Sequence, residues 1–170
     1  MDISEAIQSR RSIRKYKPIA PSDQIIEHLI EAAMSAPSSG NLQSRYIYVV
    51  RDDELRKKMA ALALDQSFIH EAPIALVVCV DLRIEREYGE RGQNLFAVLD
   101  CAAAIENLML MAVGKGLGSC WVGAFDQSKI AELLAIPEHL RPISIVAVGY
   151  PDESPGQPER PPLTSLYEVL

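Results

Sequence analysis

The sequence predicts one domain of mixed α and β structure in which apolar strands are covered by helices on both faces. Three observations carry that prediction. The runs YIYVV (46–50) and IALVVCV (74–80) are almost wholly apolar, as strands buried on both faces are. Ile25, Ile26, Leu29, Ile30, Ala33 and Met34 recur at helical spacing. Residues 93–115 are apolar nearly all round, the pattern of a helix buried at the centre of a fold or at an interface. At 170 residues the chain has the usual length of one domain, 1–170, large enough to bury a core without a disulfide or metal staple.

Asp2 followed three residues later by Glu5 forms a capping box, and Ile3, Ala6 and Ile7 share one face of the short helix it starts. That helix delivers Arg10. In an extended stretch beyond it, Arg10, Ser12 and Arg14 would point to one side and Arg11, Ile13 and Lys15 to the other. Ser22 caps a second helix, and Pro37 disfavours helix at Ala36 and ends it. After the strand at 46–50, residues 52–64 read as a helix that leads to the strand at 74–80. GLGSCWVGAF (116–125) reads as a turn and a short strand, 126–134 as a helix, and PISIVAVGY (142–150) as a last buried strand. Beyond it Pro151, Pro155, Pro158, Pro161 and Pro162 preclude a helix or a central strand, so 151–170 is expected to be a loop or an extended arm.

Charge narrows the function. QSRRSIRKYKP (8–18) holds five positive charges in a chain of net charge −6, so that 1–17 is net +3 and the remainder −9. A chain acidic elsewhere is repelled by a polyphosphate backbone, and nucleic-acid binding needs a broad basic face. The basic segment therefore suits one small anion, and no nucleic acid is expected as a partner. Cys79, Cys101 and Cys120 stand far apart with no CxxC, and His28, His70 and His139 are scattered, which points to neither a disulfide framework nor a metal site. Asp100, Glu106 and Asn107 interrupt the long apolar helix and would be expensive in hydrocarbon, so no membrane partner is expected. Met1 is followed at once by acidic Asp2 and Glu5, unlike a secretory leader, and the expected compartment is a reducing cytoplasm.

Four segments can carry chemistry. Arg10, Arg11, Ser12 and Arg14 offer bidentate forks and a hydroxyl suited to a phosphomonoester, or they form a solvated basic turn. APSSGNLQ (36–43) is either a simple loop or a polar edge that presents hydroxyls and amides to a flat heterocycle. In WVGAF (121–125), Gly123 and Ala124 leave backbone N–H groups open to the close approach of a ring, or make a tight strand exit. Arg160 in the proline-rich arm is either exposed or returns to meet an anion. No catalytic triad, metal cluster or phosphate-binding glycine loop is present in the sequence.

Arg-Arg-Ser-x-Arg after a first short helix, Ala-Pro-Ser-Ser-Gly-Asn-x-Gln after a second, Trp-Val-Gly-Ala-Phe after a long apolar helix, and Gly-Tyr-Pro before an Arg-Pro-Pro-Leu arm occur here in that order. In this the chain resembles the nitroreductase family, as a short member, along almost its whole length. The resemblance implies an α+β, three-layer sandwich with a central mixed β-sheet flanked by helices, in an intertwined homodimer with FMN sites shared between subunits. It implies that Arg10, Arg11 and Ser12 hold the FMN phosphate and ribityl end, that Arg14 lies towards the flavin pyrimidine, and that Arg160 reaches the phosphate from the arm. Pro37, Ser38, Ser39 and Asn41 would come to that flavin from the partner subunit, and the backbone of Gly123 and Ala124 would face flavin N5. The arm would cross to the partner, anchored by Leu163, Leu166, Tyr167 and Val169.

The implied activity is transfer of a hydride from NAD(P)H through flavin N5 to a nitroaromatic, quinone or similar electrophile by a ping-pong cycle. Such chemistry needs no protein nucleophile, because the cofactor supplies it. Flavin-destroying or dehalogenating chemistry on the same fold, and a non-enzymatic FMN-binding role, are the alternatives, since fold does not fix chemistry. The sequence departs from the family at two places. Gln43 is followed by Ser44 and Arg45 where many relatives have Pro-Trp, and 66–71 offers Gln66, Phe68 and His70 with no assigned role.

Overall fold

The computed structural model describes residues 2–170, so Met1 lies outside the described residues. Among the described residues seven α-helices and four strands follow in the order α1 (Ile3–Ser9), α2 (Asp23–Met34), β1 (Arg45–Val50), α3 (Asp53–Leu62), α4 (Phe68–Glu71), β2 (Ile74–Asp81), α5 (Glu85–Arg91), α6 (Ala97–Gly114), β3 (Gly118–Val122), α7 (Gln127–Leu133) and β4 (Leu140–Gly149). Local side chains start many of these helices. The Asp2–Glu5 capping box is formed at α1, and Ser22, Asp52 and Asp126 each accept a backbone N–H at the starts of α2, α3 and α7.

The sheet runs β1-β2-β4-β3 and every strand pair is antiparallel. Strand alternation then splits the core into two layers. Leu76, Val78 and Val80 of β2 pack with Leu29, Ala33, Ala104, Ile105 and Leu108 from α2 and α6. Ala75, Val77 and Cys79 pack on the opposite face with Met59, Ile69 and Ile130 from α3, α4 and α7. The result is the helix–sheet–helix sandwich expected of the sequence. Within this chain the sheet is antiparallel and not the mixed one the resemblance implies; the parallel pairing among the described residues is an isolated bridge between Ser12 and Ser119, where the N-terminal segment touches β3 for one residue pair.

Other expectations are corrected. β1 is an edge strand, and Tyr46 is 51% and Val49 38% exposed; an apolar run does not reveal whether a strand has neighbours on both sides. β4 begins at Leu140, so Pro142 lies inside it. A register shift opposite Val78 and Cys79 leaves Ile143 out of the pairing beside this proline, as a residue with no N–H to give requires. The long helix starts as a π-helical turn, Gly92–Phe96, to which Arg141 donates at Gln93 O (2.8 Å) and Asn94 Oδ1 (3.2 Å). The run Leu82–Gly114 is long and apolar enough to cross a membrane, but the buried face of α6 packs on the sheet.

Candidate functional site

Residues 11–17 lie between the edge of β3 and the start of the C-terminal arm. Ile13 N donates to Ser119 O at 3.0 Å. The approach is so close that a Cβ at Gly118 would stand 2.5 Å from Ile13 Cγ1, which explains a residue without a side chain at that point. On the other side Lys17 N donates to Tyr150 O and Asp152 N to Lys15 O, both at 2.9 Å, and Tyr16 pairs with Pro151. Tyr16 is buried, its hydroxyl donates to Ile13 O and is 3.3 Å from Ala147 O, and burial pushes its pKa far up. It therefore stays a neutral peg under the basic segment.

This brings the sequence-predicted anion ligands together. Arg10, Arg11, Ser12, Arg14 and Arg160 line one cavity of about 310 Å³, with Pro155, Gly156 and Pro158 forming the rest of its wall. No carboxylate is among the lining residues, so their charges are not neutralised from within. Arg11 lines the cavity with Arg10 and Arg14 instead of facing away, because the segment is no regular strand and Arg11 folds back to donate to Gln8 O (2.6 Å) and Arg10 O (2.8 Å). Arg10 pairs with Glu106 of α6 at 3.4 Å, and Arg14 lies 5.7 Å from the ring centroid of Phe68, a cation–π contact. A larger cavity, about 520 Å³, lies beside Arg51, Asp53, Arg56 and His70. There the charges pair with one another: Asp53 meets Arg56 at 2.9 Å and His70 at 3.2 Å, and the His70 bond holds the Asp53 carboxyl below its usual range.

The segment 37–41 does not line the arginine cavity. It leads into a 3-10 turn, Ser39–Asn41, in which Gly40 and Asn41 have positive φ. Two buried charges hold it. Asp100 accepts from Ser39 N (2.9 Å) and Ser39 Oγ (3.0 Å). Arg45 donates to Met34 O (2.8 Å), Ala36 O (2.7 Å), Pro37 O (3.1 Å) and Gln43 Oε1 (2.7 Å). Gln43 in turn donates to Ser38 Oγ (2.9 Å) and Asn41 Oδ1 (2.7 Å). The departure at Arg45 is thus a structural element that replaces bulk with a fork into loop carbonyls.

Gly123 and Ala124 leave β3, and nothing stands within 4 Å of where a Cβ on Gly123 would be, so a flat group has room above that backbone. Gln66 fixes the exit by donating to Ala63 O (2.8 Å) and Ala124 O (3.3 Å). Gln66 and Phe68, without a role in the sequence, thereby connect the strand exit to Arg14. Their contacts span segments far apart in the chain, which leaves no local signal. All three cysteines are free and buried, and burial pushes the thiols of Cys79 and Cys101 up to about 12. Among the described residues no group of three or more His, Cys, Asp or Glu could hold a metal ion.

A family model described as the nitroreductase family matches residues 7–68 and 60–150. A protein of Methanothermobacter thermautotrophicus named "Putative NADH dehydrogenase/NAD(P)H nitroreductase" is 36% identical over 160 residues, 92% of this chain and 81% of that one. The FMN reductase (NADPH) of Bacillus subtilis is 29% identical over 177 residues, covering 96% and 71%. The solved structure of the NADPH:FMN oxidoreductase from Vibrio harveyi complexed with NAD+ superposes with a TM-score of 0.91 at 28% identity, covering 98% of this chain and 76% of that one.

Proposed function

The chain belongs to the nitroreductase family, and from that membership we propose that it is an FMN-dependent NAD(P)H oxidoreductase that works as a homodimer. The observation that carries the proposal is the cavity of four arginines and one serine with no acidic lining, which fits a phosphate dianion. Bound FMN would supply reversible hydride transfer at its N5, from NAD(P)H to a nitroaromatic, quinone or similar electrophile. The chain's part is to bind, orient and tune. Arg10, Arg11, Ser12 and Arg160 hold the phosphate end. Arg14, fixed over Phe68, places positive charge at the pyrimidine edge. The open backbone at Gly123 and Ala124 lets the ring lie close. The names of the Bacillus subtilis and Vibrio harveyi relatives, which include FMN and NADPH, support the cofactor assignment.

A two-fold copy completes the site in this reading. Pro37, Ser38, Ser39 and Asn41 stand apart from the arginine cavity of their own protomer, so they serve the flavin of the partner. Leu99, 57% exposed on α6, and Leu163, Leu166, Tyr167 and Val169, all exposed on the arm, supply apolar area for an isologous interface and for an arm that crosses to the other subunit. Sizing together with FMN titration tests the shared site: a dimer that binds FMN is expected, and a monomer that retains FMN would contradict it. Initial rates over both substrates should give parallel double-reciprocal lines; intersecting lines would remove the ping-pong cycle.

A further inference from the structure

We propose that Glu153 is the positioning residue of the phosphate site, holding the Arg14–Lys15 backbone and the root of the arm in one register so that Arg160 meets the anion faced by Arg10 and Arg11. The inference rests on the FMN reading for the identity of that anion. Glu153 Oε1 accepts from Arg14 N at 2.5 Å and from Lys15 N at 3.2 Å, across 139 and 138 residues of sequence. Two consecutive N–H groups on one carboxylate oxygen make a charge-assisted clamp. The neighbouring bond, Asp152 N to Lys15 O at 2.9 Å, fixes the same two strands of chain from the other direction.

The position of this carboxylate distinguishes it from Glu106. Glu106 pairs with the guanidinium of Arg10 at 3.4 Å and so competes with an incoming anion. Glu153 spends its charge on backbone N–H groups and does not line the cavity, so it fixes the site without neutralising it. Between Glu153 and Arg160 stand Pro155, Gly156 and Pro158, all on the cavity wall. Prolines lock φ and stiffen the connection, so the register set at Glu153 is carried to Arg160.

FMN titration into apoprotein, with Glu153→Ala, Arg160→Ala, the double variant and Glu153→Gln, tests the proposal. Glu153→Ala is expected to weaken FMN about tenfold, the scale of one charged hydrogen bond. The double variant should bind about as weakly as the weaker single, because Glu153 acts through Arg160. Glu153→Gln, whose amide oxygen still accepts, should recover most of the loss. Multiplicative losses in the double variant, or unchanged affinity in Glu153→Ala, overturn it; a merely stabilising role would lower Tm without this coupling. Proteolysis of the arm by a protease of broad specificity, run without FMN, reads the clamp by itself: Glu153→Ala should be cut faster at 154–160, and equal rates overturn it. If wild type binds inorganic phosphate with the same coupling but not FMN, the clamp stands and the cofactor reading falls.

Discussion

Arg45→Met tests whether a buried guanidinium holds the loop that carries Pro37, Ser38, Ser39 and Asn41. Arg45 is 6% exposed and donates to three backbone carbonyls and to Gln43 Oε1. A methionine matches the aliphatic stem of the arginine and leaves those four acceptors without their donor. Each buried acceptor left without its donor costs about 1–3 kcal/mol. The Nε of Arg45 is itself buried with no partner, an orphan the variant abolishes, so at the low end for four acceptors a net loss of about 3–4 kcal/mol is expected. For a chain of this length each kcal/mol moves Tm by about 2–4 °C, which gives a fall of roughly 6–16 °C. Calorimetry at fixed protein and FMN concentration measures it, since both bound ligand and self-association shift Tm. Arg45→Lys should recover less than half, because one ammonium cannot reproduce a planar fork to several carbonyls. A fall of less than about 3 °C in Arg45→Met, equivalent to about 1 kcal/mol, would refute the account of this loop.

Three further outcomes follow from single contacts. Gly118→Ala drives a Cβ to within 2.5 Å of Ile13 Cγ1 and should destabilise by about 1–3 kcal/mol while weakening FMN; an unchanged urea midpoint would mean that Ile13 yields freely. Arg10→Ala should weaken FMN roughly 10- to 150-fold, from about 1.5–3 kcal/mol for a charged hydrogen bond, whereas Glu106→Gln, which releases Arg10, should tighten it; weaker binding in Glu106→Gln would contradict the competition. Cys79 and Cys101 have folded pKa values raised by burial to about 12 from an ordinary 9.0. The folded chain keeps those protons where the unfolded chain has lost them, so this contribution is whole below about pH 9 and declines as pH rises towards about 12. Denaturation series over that window should show the decline, and a disulfide reagent should find no fast-reacting thiol in the native protein and three after unfolding.

What could be read from the sequence was what is decided locally. Asp2, Glu5 and Ser22 marked their helices because a cap needs only the next three residues, and the strands at 74–80 and 142–150 were evident because their apolar runs are buried at the sheet centre. The edge status of β1, the bulge beside Pro142, the short helices α4 and α5, and the grips of Arg45, Glu153 and Gln66 were not legible. Each depends on which segment lies opposite, and residue type alone does not encode that. The arginine cavity falls between these cases: the basic cluster was visible as charge, but the meeting of Arg160 with Arg10 and Arg14 followed from the family resemblance, not from composition.

Anaerobic mixing of the FMN-loaded protein with NADH and, separately, with NADPH decides whether the bound flavin accepts a hydride from a nicotinamide. At least one nucleotide is expected to bleach the visible absorbance of the bound flavin within a turnover, and a quinone or nitroaromatic to restore it. Tightly bound FMN that neither nucleotide bleaches would contradict the assignment as an NAD(P)H oxidoreductase and leave a flavin-binding protein of other chemistry.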